Sequence, residues 1–268
     1  EQCYVCYFRC WERPSMGDNR SGEPERVTMQ THLRSVARTT SRDFIHWTEP
    51  VRLKPNFPGE HLYTTQTHPY FRAKHIYIAL PTRFMQERGS STDIMFMSAR
   101  GAGPFDRTFR QAFVRPGNDP AAWGNRSNYA NLNVFQTSAG EMSFYVRGIR
   151  RVLRMDGFAS IQAQGRPGVL TTVPFTFEGD RLMMNYATSA AGSIRVTLLD
   201  AEDDREIPGA GYADSREVIG DEIDGEIPVE RNILKQVSGK PVRMRVFMTD
   251  ADLYSFRFSS HSVSQPMR

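Results

Sequence analysis

The chain has 268 residues, 39% hydrophobic and 24% charged, with a formal net charge of +4. That is the composition of a globular chain with a core, long enough for one large or two ordinary domains. No run approaches the roughly 20 apolar residues that span a bilayer, and the basic residues form no Lys/Arg block, so neither a membrane nor nucleic acid is an expected partner.

The chain opens at Glu1-Gln2 and passes straight into an alternating run, Cys3–Cys10, with Tyr4, Cys6 and Phe8 on one face. An opening strand needs partners, which points to a piece of a longer chain or to a cleaved upstream segment. Cys3, Cys6 and Cys10 are spaced C-x2-C-x3-C, but no later Cys or nearby His completes a tetrahedral set. Buried thiols are expected there, and no metal or other cofactor. Pro14–Pro24 is a polar loop rich in Gly, Ser, Asp and Asn. Leu33–Thr40 alternates as the next strand. Within Ser41-Arg42-Asp43-Phe44-Ile45-His46-Trp47, Asp43 closes a turn through its own side chain and Trp47 fills a gap between sheets.

Thr67–Phe84 then predicts a hairpin that reverses near Ala73-Lys74. Ile76, Ile78 and Leu80 share one face while Tyr77 and Ala79 share the other, so the second strand is covered on both sides. Strands follow at Asp93–Ala99, Thr108–Val114, Leu132–Thr137, Glu141–Arg147 and Val152–Met155. No stretch keeps a helical period. Quartets of short strands at intervals of roughly 60 residues favour a β-propeller. Past Gln164-Gly165-Arg166-Pro167-Gly168 the composition changes. Strands recur at Leu170–Phe177, Arg181–Ala187, Ser193–Asp200, Val242–Thr249 and Leu253–Phe258. They predict a second all-β domain, a sandwich. The expected fold is therefore all-β, a partial propeller over 1–160 followed by a sandwich over 161–268.

The segment Ser41–Pro50 resembles the S-x-D-hydrophobic-x-H-W element of five-bladed β-propeller glycosidases, the clan of glycoside hydrolase families 32, 43 and 68. His68-Pro69-Tyr70-Phe71-Arg72, with His75-Ile76-Tyr77-Ile78, resembles their blade opening and following strand, with His68 where relatives often carry Asp. The second domain resembles their appended sandwich. The resemblance implies part of one blade at 1–54, a full blade at about 61–115 and most of a last blade at about 127–156. It also implies two further blades upstream, the first holding the aspartate that serves as nucleophile or base. Location would be secreted or periplasmic, and the partner a carbohydrate.

In a propeller, ligands bind near the axis, which brings His68, Gln66, Arg83, Trp123, Arg126, Asn128 and Tyr129 to one mouth. Glycoside hydrolysis needs two carboxyl groups across the bond, and Glu12 and Glu141 are the candidates, with His68 able to tune or replace an acid. Trp123 and Tyr129 would be sugar platforms; Arg126, Asn128 and Gln66 would pair with hydroxyls; Arg83 and Arg126 would grip an anionic sugar. Each also has a purely structural role open to it. The excess of arginine, with only Lys54, Lys74, Lys235 and Lys240 as lysines, suits an acidic substrate; codon bias produces the same excess. Asn19-Arg20-Ser21 and Asn125-Arg126-Ser127 fit the glycosylation triplet. Two functions stay open: a hydrolase of poly- or oligosaccharides, and a carbohydrate-binding or structural propeller without catalysis.

Overall fold

The computed structural model describes residues 2–13 and 32–260. The expected loop Pro14–Pro24 and the triplet at Asn19 lie outside them. Among the described residues the chain is all-β apart from one short α-helix and one 3-10 turn, and it divides into two compact units. One comprises Glu1–Thr137 with Ser143–Val152, the other Ser138–Met142 with Leu153–Arg268.

The first unit is a series of antiparallel meanders. Strand β1 (Tyr4–Glu12) pairs with β2 (Leu33–Ser41) from Tyr4↔Ser41 to Glu12↔Leu33, and β3 (Val51–Arg52) adds to β2 at Ala37↔Arg52. Arg34, Ser35, Val36 and Ala37 are all buried, as befits a central strand covered on both faces. The β2–β3 turn is built on Asp43, whose carboxylate accepts from the main-chain N–H groups of Ile45 (2.9 Å) and His46 (2.7 Å). Trp47 does not fill a gap between sheets. It stays partly exposed and leans on Phe44, because its indole N–H is spent on the Phe44 carbonyl within the same turn (3.0 Å).

The next meander runs 61–70, 73–85 and 91–100, and each run breaks once in the middle. The breaks give β4 (His61–Thr64), β5 (His68–Tyr70), β6 (Ala73–Ala79), β7 (Thr82–Met85), β8 (Ser91–Ile94) and β9 (Met97–Arg100). Two sheets result, β4-β7-β8 and β5-β6-β9. Gln66 marks the first break with a left-handed backbone, φ 49°. A hydrogen bond from Met95 to the Pro81 carbonyl (2.8 Å) carries the ladder across the other two. A fourth run touches only at its ends, through Ser98↔Asp106 and Ile94↔Val114, so the expected strand Thr108–Val114 is mostly irregular. The hairpin reverses at Phe71-Arg72, two residues before the expected Ala73-Lys74, because Tyr70 pairs directly with Ala73. Tyr77, Ile78, Ala79 and Leu80 are buried in succession, as expected of a strand covered on both faces. Val36, Leu62, Ala79 and Met97 form a core cluster that joins β2, β4, β6 and β9.

A third meander follows. Strand β10 (Phe135–Gln136), extended by the bridge Ala130↔Val146, joins β11 (Glu141–Val146) and β12 (Ile149–Arg154).

The second unit is one five-stranded sheet: β13 (Ile161–Ala163), β14 (Gly168–Thr171), β15 (Arg181–Asp200), β16 (Asp221–Ile227) and, after the helix α1 (Arg231–Val237), β17 (Val242–Ser259). Segments expected as separate strands are continuous in β15 and β17. The pair shifts register between Thr188 and Ser193. There β15 passes so close to β17 that a Cβ on Gly192 would lie 2.2 Å from the Asp250 carbonyl oxygen, and only glycine fits. Both halves of the long pair feed one apolar cluster, Leu182, Met184 and Tyr186 from one half of β15, Ile194, Val196 and Leu198 from the other. The helix was not expected. Its seven residues complete barely two turns, too few to establish a period, and it is held by Leu234, fully buried in that cluster.

Candidate functional site

Register brings cations and aromatics together in the first unit. Arg9 and Trp11 alternate on one face of β1, and Trp11 stands directly opposite Arg34 of β2. His61 and Tyr63 alternate on β4, and His61 stands opposite Phe84 of β7. The two sheets join where the Arg34 main-chain N–H donates to Nδ1 of His61 (3.1 Å). The guanidinium of Arg34 lies over three rings, 4.9 Å from Trp11 and 5.0 Å from both Tyr63 and Phe84. Arg9 lies 5.0 Å over the Tyr63 ring, and Arg126 lies 5.2 Å over Phe84. Tyr129 meets Tyr63 edge-on at 5.8 Å.

Arg34 is buried, whereas Arg9 and Arg126 are exposed. The result is an aromatic floor with guanidinium groups rising from it to solvent. Each such contact contributes about 0.5–2 kcal/mol, more when desolvated. Burial, then the charge of Arg9, pulls the Arg34 pKa down; Arg126 acts in the same direction, while Tyr63 and Tyr129 oppose. Burial, then Tyr63, pushes the Tyr129 phenol up, against Arg126, Arg34 and Arg9. Burial, then the charge of Arg34, pulls His61 down. These groups share one positive field.

Arg126 is delivered by a strained loop. Gly124, Asn125 and Arg126 all have left-handed backbones, with φ of 78°, 48° and 54°. Glycine and asparagine tolerate this, but arginine does not do so readily. The loop is pinned to the turn after β7 by three consecutive N–H groups. Gly124 donates to Oγ of Ser91 (3.1 Å), Asn125 to the Gly89 carbonyl (3.2 Å) and Arg126 to the Ser90 carbonyl (2.9 Å).

The expected site residues separate into distinct roles. Arg126 and Tyr129 belong to the cluster. Asn128 lies beneath it, buried, its amide donating to the carbonyls of Thr92 and Ala122 (both 2.7 Å). Arg83 is held in a two-point pair with Asp93, Nε–Oδ1 3.0 Å and Nη2–Oδ2 2.7 Å. Trp123 is 56% exposed, with its indole N–H on the Gly117 carbonyl (2.9 Å). Gln66 uses its carbonyl to accept from His68 Nδ1 (2.9 Å), and His68 Nε2 accepts from the Val134 N–H (3.0 Å). Both imidazole nitrogens therefore serve the main chain. Glu12 lies in a cleft of about 470 Å³ lined by Trp11, Arg13, His32, Arg52 and Lys54, with Arg52 at 3.6 Å. Glu141 is exposed at the start of β11, in the second unit.

Arg9, Trp11, Arg34, His61, Tyr63 and Phe84 were not foreseen. The signal was there, as cation and aromatic at i and i+2 in Arg9/Trp11 and two rings at i and i+2 in His61/Tyr63. Only the pairing of β1 with β2 and of β4 with β7 shows that these faces meet.

Burial pulls the His68 pKa below its ordinary 6.5, with the Gln66 carbonyl opposing. Below that value protons favour the unfolded chain, so the His68 contribution is complete above pH 6.5 and falls as pH drops toward the lower folded value. Urea midpoints are expected to decline between about pH 7.5 and pH 5, and His68→Gln to flatten that decline in part, since His61 shares the direction. An unchanged slope in His68→Gln would contradict the assignment.

No family model matches the sequence, and no curated protein matches it. Among solved structures the chain is similar to a glycoside hydrolase family 43 arabinoxylan arabinofuranohydrolase from Bacillus subtilis in complex with cellotetraose, at 14% identity and a TM-score of 0.33. The match covers 96% of this chain and 65% of that one, so this chain spans less than two thirds of its length.

Proposed function

We propose that this chain is the carbohydrate-binding part of a secreted β-propeller protein, and that glycan docks on the surface formed by Arg9, Arg126, Tyr63 and Tyr129, above the buried Arg34 and Phe84. The observation that carries this is the convergence of three guanidinium groups on one aromatic floor, two of them open to solvent. Sugars need a ring to lie on and donors for their oxygens, and this surface offers both. The resemblance of Ser41–Pro50 and His68–Ile78 to the propeller glycosidase clan supports a glycan as the ligand, and the successive antiparallel meanders are compatible with blades.

Cleavage is the less favoured reading, because it needs two available carboxyl groups. Among the described residues of the first unit, Glu12 pairs with Arg52, Asp43 with His46, Glu60 with Arg107, Asp93 with Arg83 and Asp119 with Arg147. Asp106 accepts from Thr108 twice, at 2.8 and 2.7 Å, and Glu49 and Glu87 are exposed. Among the described residues Glu12 is the one carboxylate lining the cleft beside Trp11, and a hydrolytic role would rest on it.

One glycan panel tests both readings, scoring retardation in affinity electrophoresis and release of reducing ends. Retardation without release is expected. No retardation on any glycan overturns the binding proposal. Release that falls by about 100-fold or more in Glu12→Gln, the scale of acid–base catalysis, replaces it with hydrolysis.

A further inference from the structure

The arrangement of the three arginines says which class of glycan the surface would take. Three like charges held within one another's field repel, and among the described residues no carboxylate pairs with Arg9 or Arg126. Aromatic rings stand beneath them instead. A ring takes one face of a guanidinium and leaves its N–H edge available for a planar oxyanion. Arg9 and Arg126 reach solvent from two different elements, Arg9 over the Tyr63 ring from strand β1 and Arg126 over the Phe84 ring from the loop pinned to the turn after β7. The left-handed backbone at Arg126 is the second, independent observation. Strain of this kind persists where the surroundings over-determine a side chain's place, and here it sets a cation at the rim of the floor.

We propose that this surface recognises an acidic glycan, with Arg9 and Arg126 gripping the carboxylate of a uronic acid residue while Tyr63 and Tyr129 face the sugar. The proposal rests on the carbohydrate reading above. A neutral sugar would leave the guanidinium edges without a matching charge, and charge-assisted pairs are about twice as strong as neutral ones.

The test compares polygalacturonate, a sulfated glycan of low uronate content, neutral arabinan and single-stranded RNA by affinity electrophoresis and titration calorimetry. Wild type is compared with Arg9→Ala, Arg126→Ala, and Arg216→Ala as a control for bulk charge, since Arg216 is exposed in the second unit. Polygalacturonate is expected to bind most tightly. Arg9→Ala and Arg126→Ala should each weaken it about tenfold, the loss expected for a hydrogen bond to a charged group, and Arg216→Ala by less than twofold. Circular dichroism identifies any variant that fails to fold, and Arg126→Lys, which keeps the charge but not the fork, should bind as poorly as Arg126→Ala. Equal losses across all three alanine variants would reduce the effect to net charge and overturn the proposal. Tightest binding to the sulfated glycan would move the oxyanion from carboxylate to sulfate ester and overturn the uronate assignment. RNA binding more tightly than any glycan would overturn both proposals. Arabinan bound as tightly as polygalacturonate would overturn this inference alone and leave the carbohydrate reading standing; no glycan bound at all would remove both.

Discussion

Arg107→Met is expected to lower the unfolding free energy of the first unit by about 3–5 kcal/mol, the cost of leaving one member of a buried ion pair alone. Arg107 and Glu60 form such a pair, their side chains only 5% and 7% exposed. Nη2 of Arg107 donates to Oε1 of Glu60 (3.1 Å), and its Nη1 donates to the other carboxylate oxygen and to the Pro55 carbonyl (2.9 Å). The same carboxylate accepts from the Phe57 N–H (3.1 Å), and the guanidinium lies 4.3 Å over the Phe57 ring. Asn56 completes the knot, its amide bridging the carbonyls of Arg34 (2.7 Å) and Glu60 (2.8 Å). The knot thus ties the segment before β4 to the main chain of β2. Urea unfolding followed by fluorescence measures the loss, and Glu60→Gln with Arg107→Met should cost less than the two single changes summed. A loss below about 1 kcal/mol for Arg107→Met, the level of an exposed pair, would show that water reaches these groups.

Phe84→Ala carries the second large effect, about 3–5 kcal/mol for deleting a fully buried phenyl ring. Phe84 is 1% exposed. It meets His61 at 6.2 Å and Tyr63 at 6.0 Å between ring centroids, and it lies under both Arg34 and Arg126. Stability and binding separate in Phe84→Leu, which retains apolar bulk and should cost about 1–1.5 kcal/mol. Without the ring face it should still lose glycan affinity. A Phe84→Leu protein that binds as wild type would show that the ring is only core.

Much of the fold was legible because strand periodicity is local. Tyr77–Leu80 announced a strand covered on both faces, and it is buried throughout. Asp43 announced its turn, and the carboxylate closes it. What sequence could not give was pairing. Arg34 looks like any outward arginine until β1 and β4 place Trp11 and Tyr63 beneath it. His68 was attractive as an acid because imidazole titrates near neutrality. Its true situation depends on the Val134 N–H, 66 positions away. Continuity was hidden too. Ser189-Ala190-Ala191-Gly192 looks like a turn, yet β15 runs through it, because β17 lies alongside with Asp250 left-handed at φ 42°.

The late position of β17 has a consequence for how the protein comes to exist. Strands β13 and β14 have no sheet partner until β17 is made, since Ile161 pairs with Leu253 and Gly168 with Met248. During synthesis at roughly 5–20 residues per second, those early segments wait several seconds with their apolar faces uncovered. Contacts so distant along the chain also slow the search itself. Nascent chains stalled before Val242 should therefore recruit chaperones through the second unit more than through the first, whose strands find their partners by Val152.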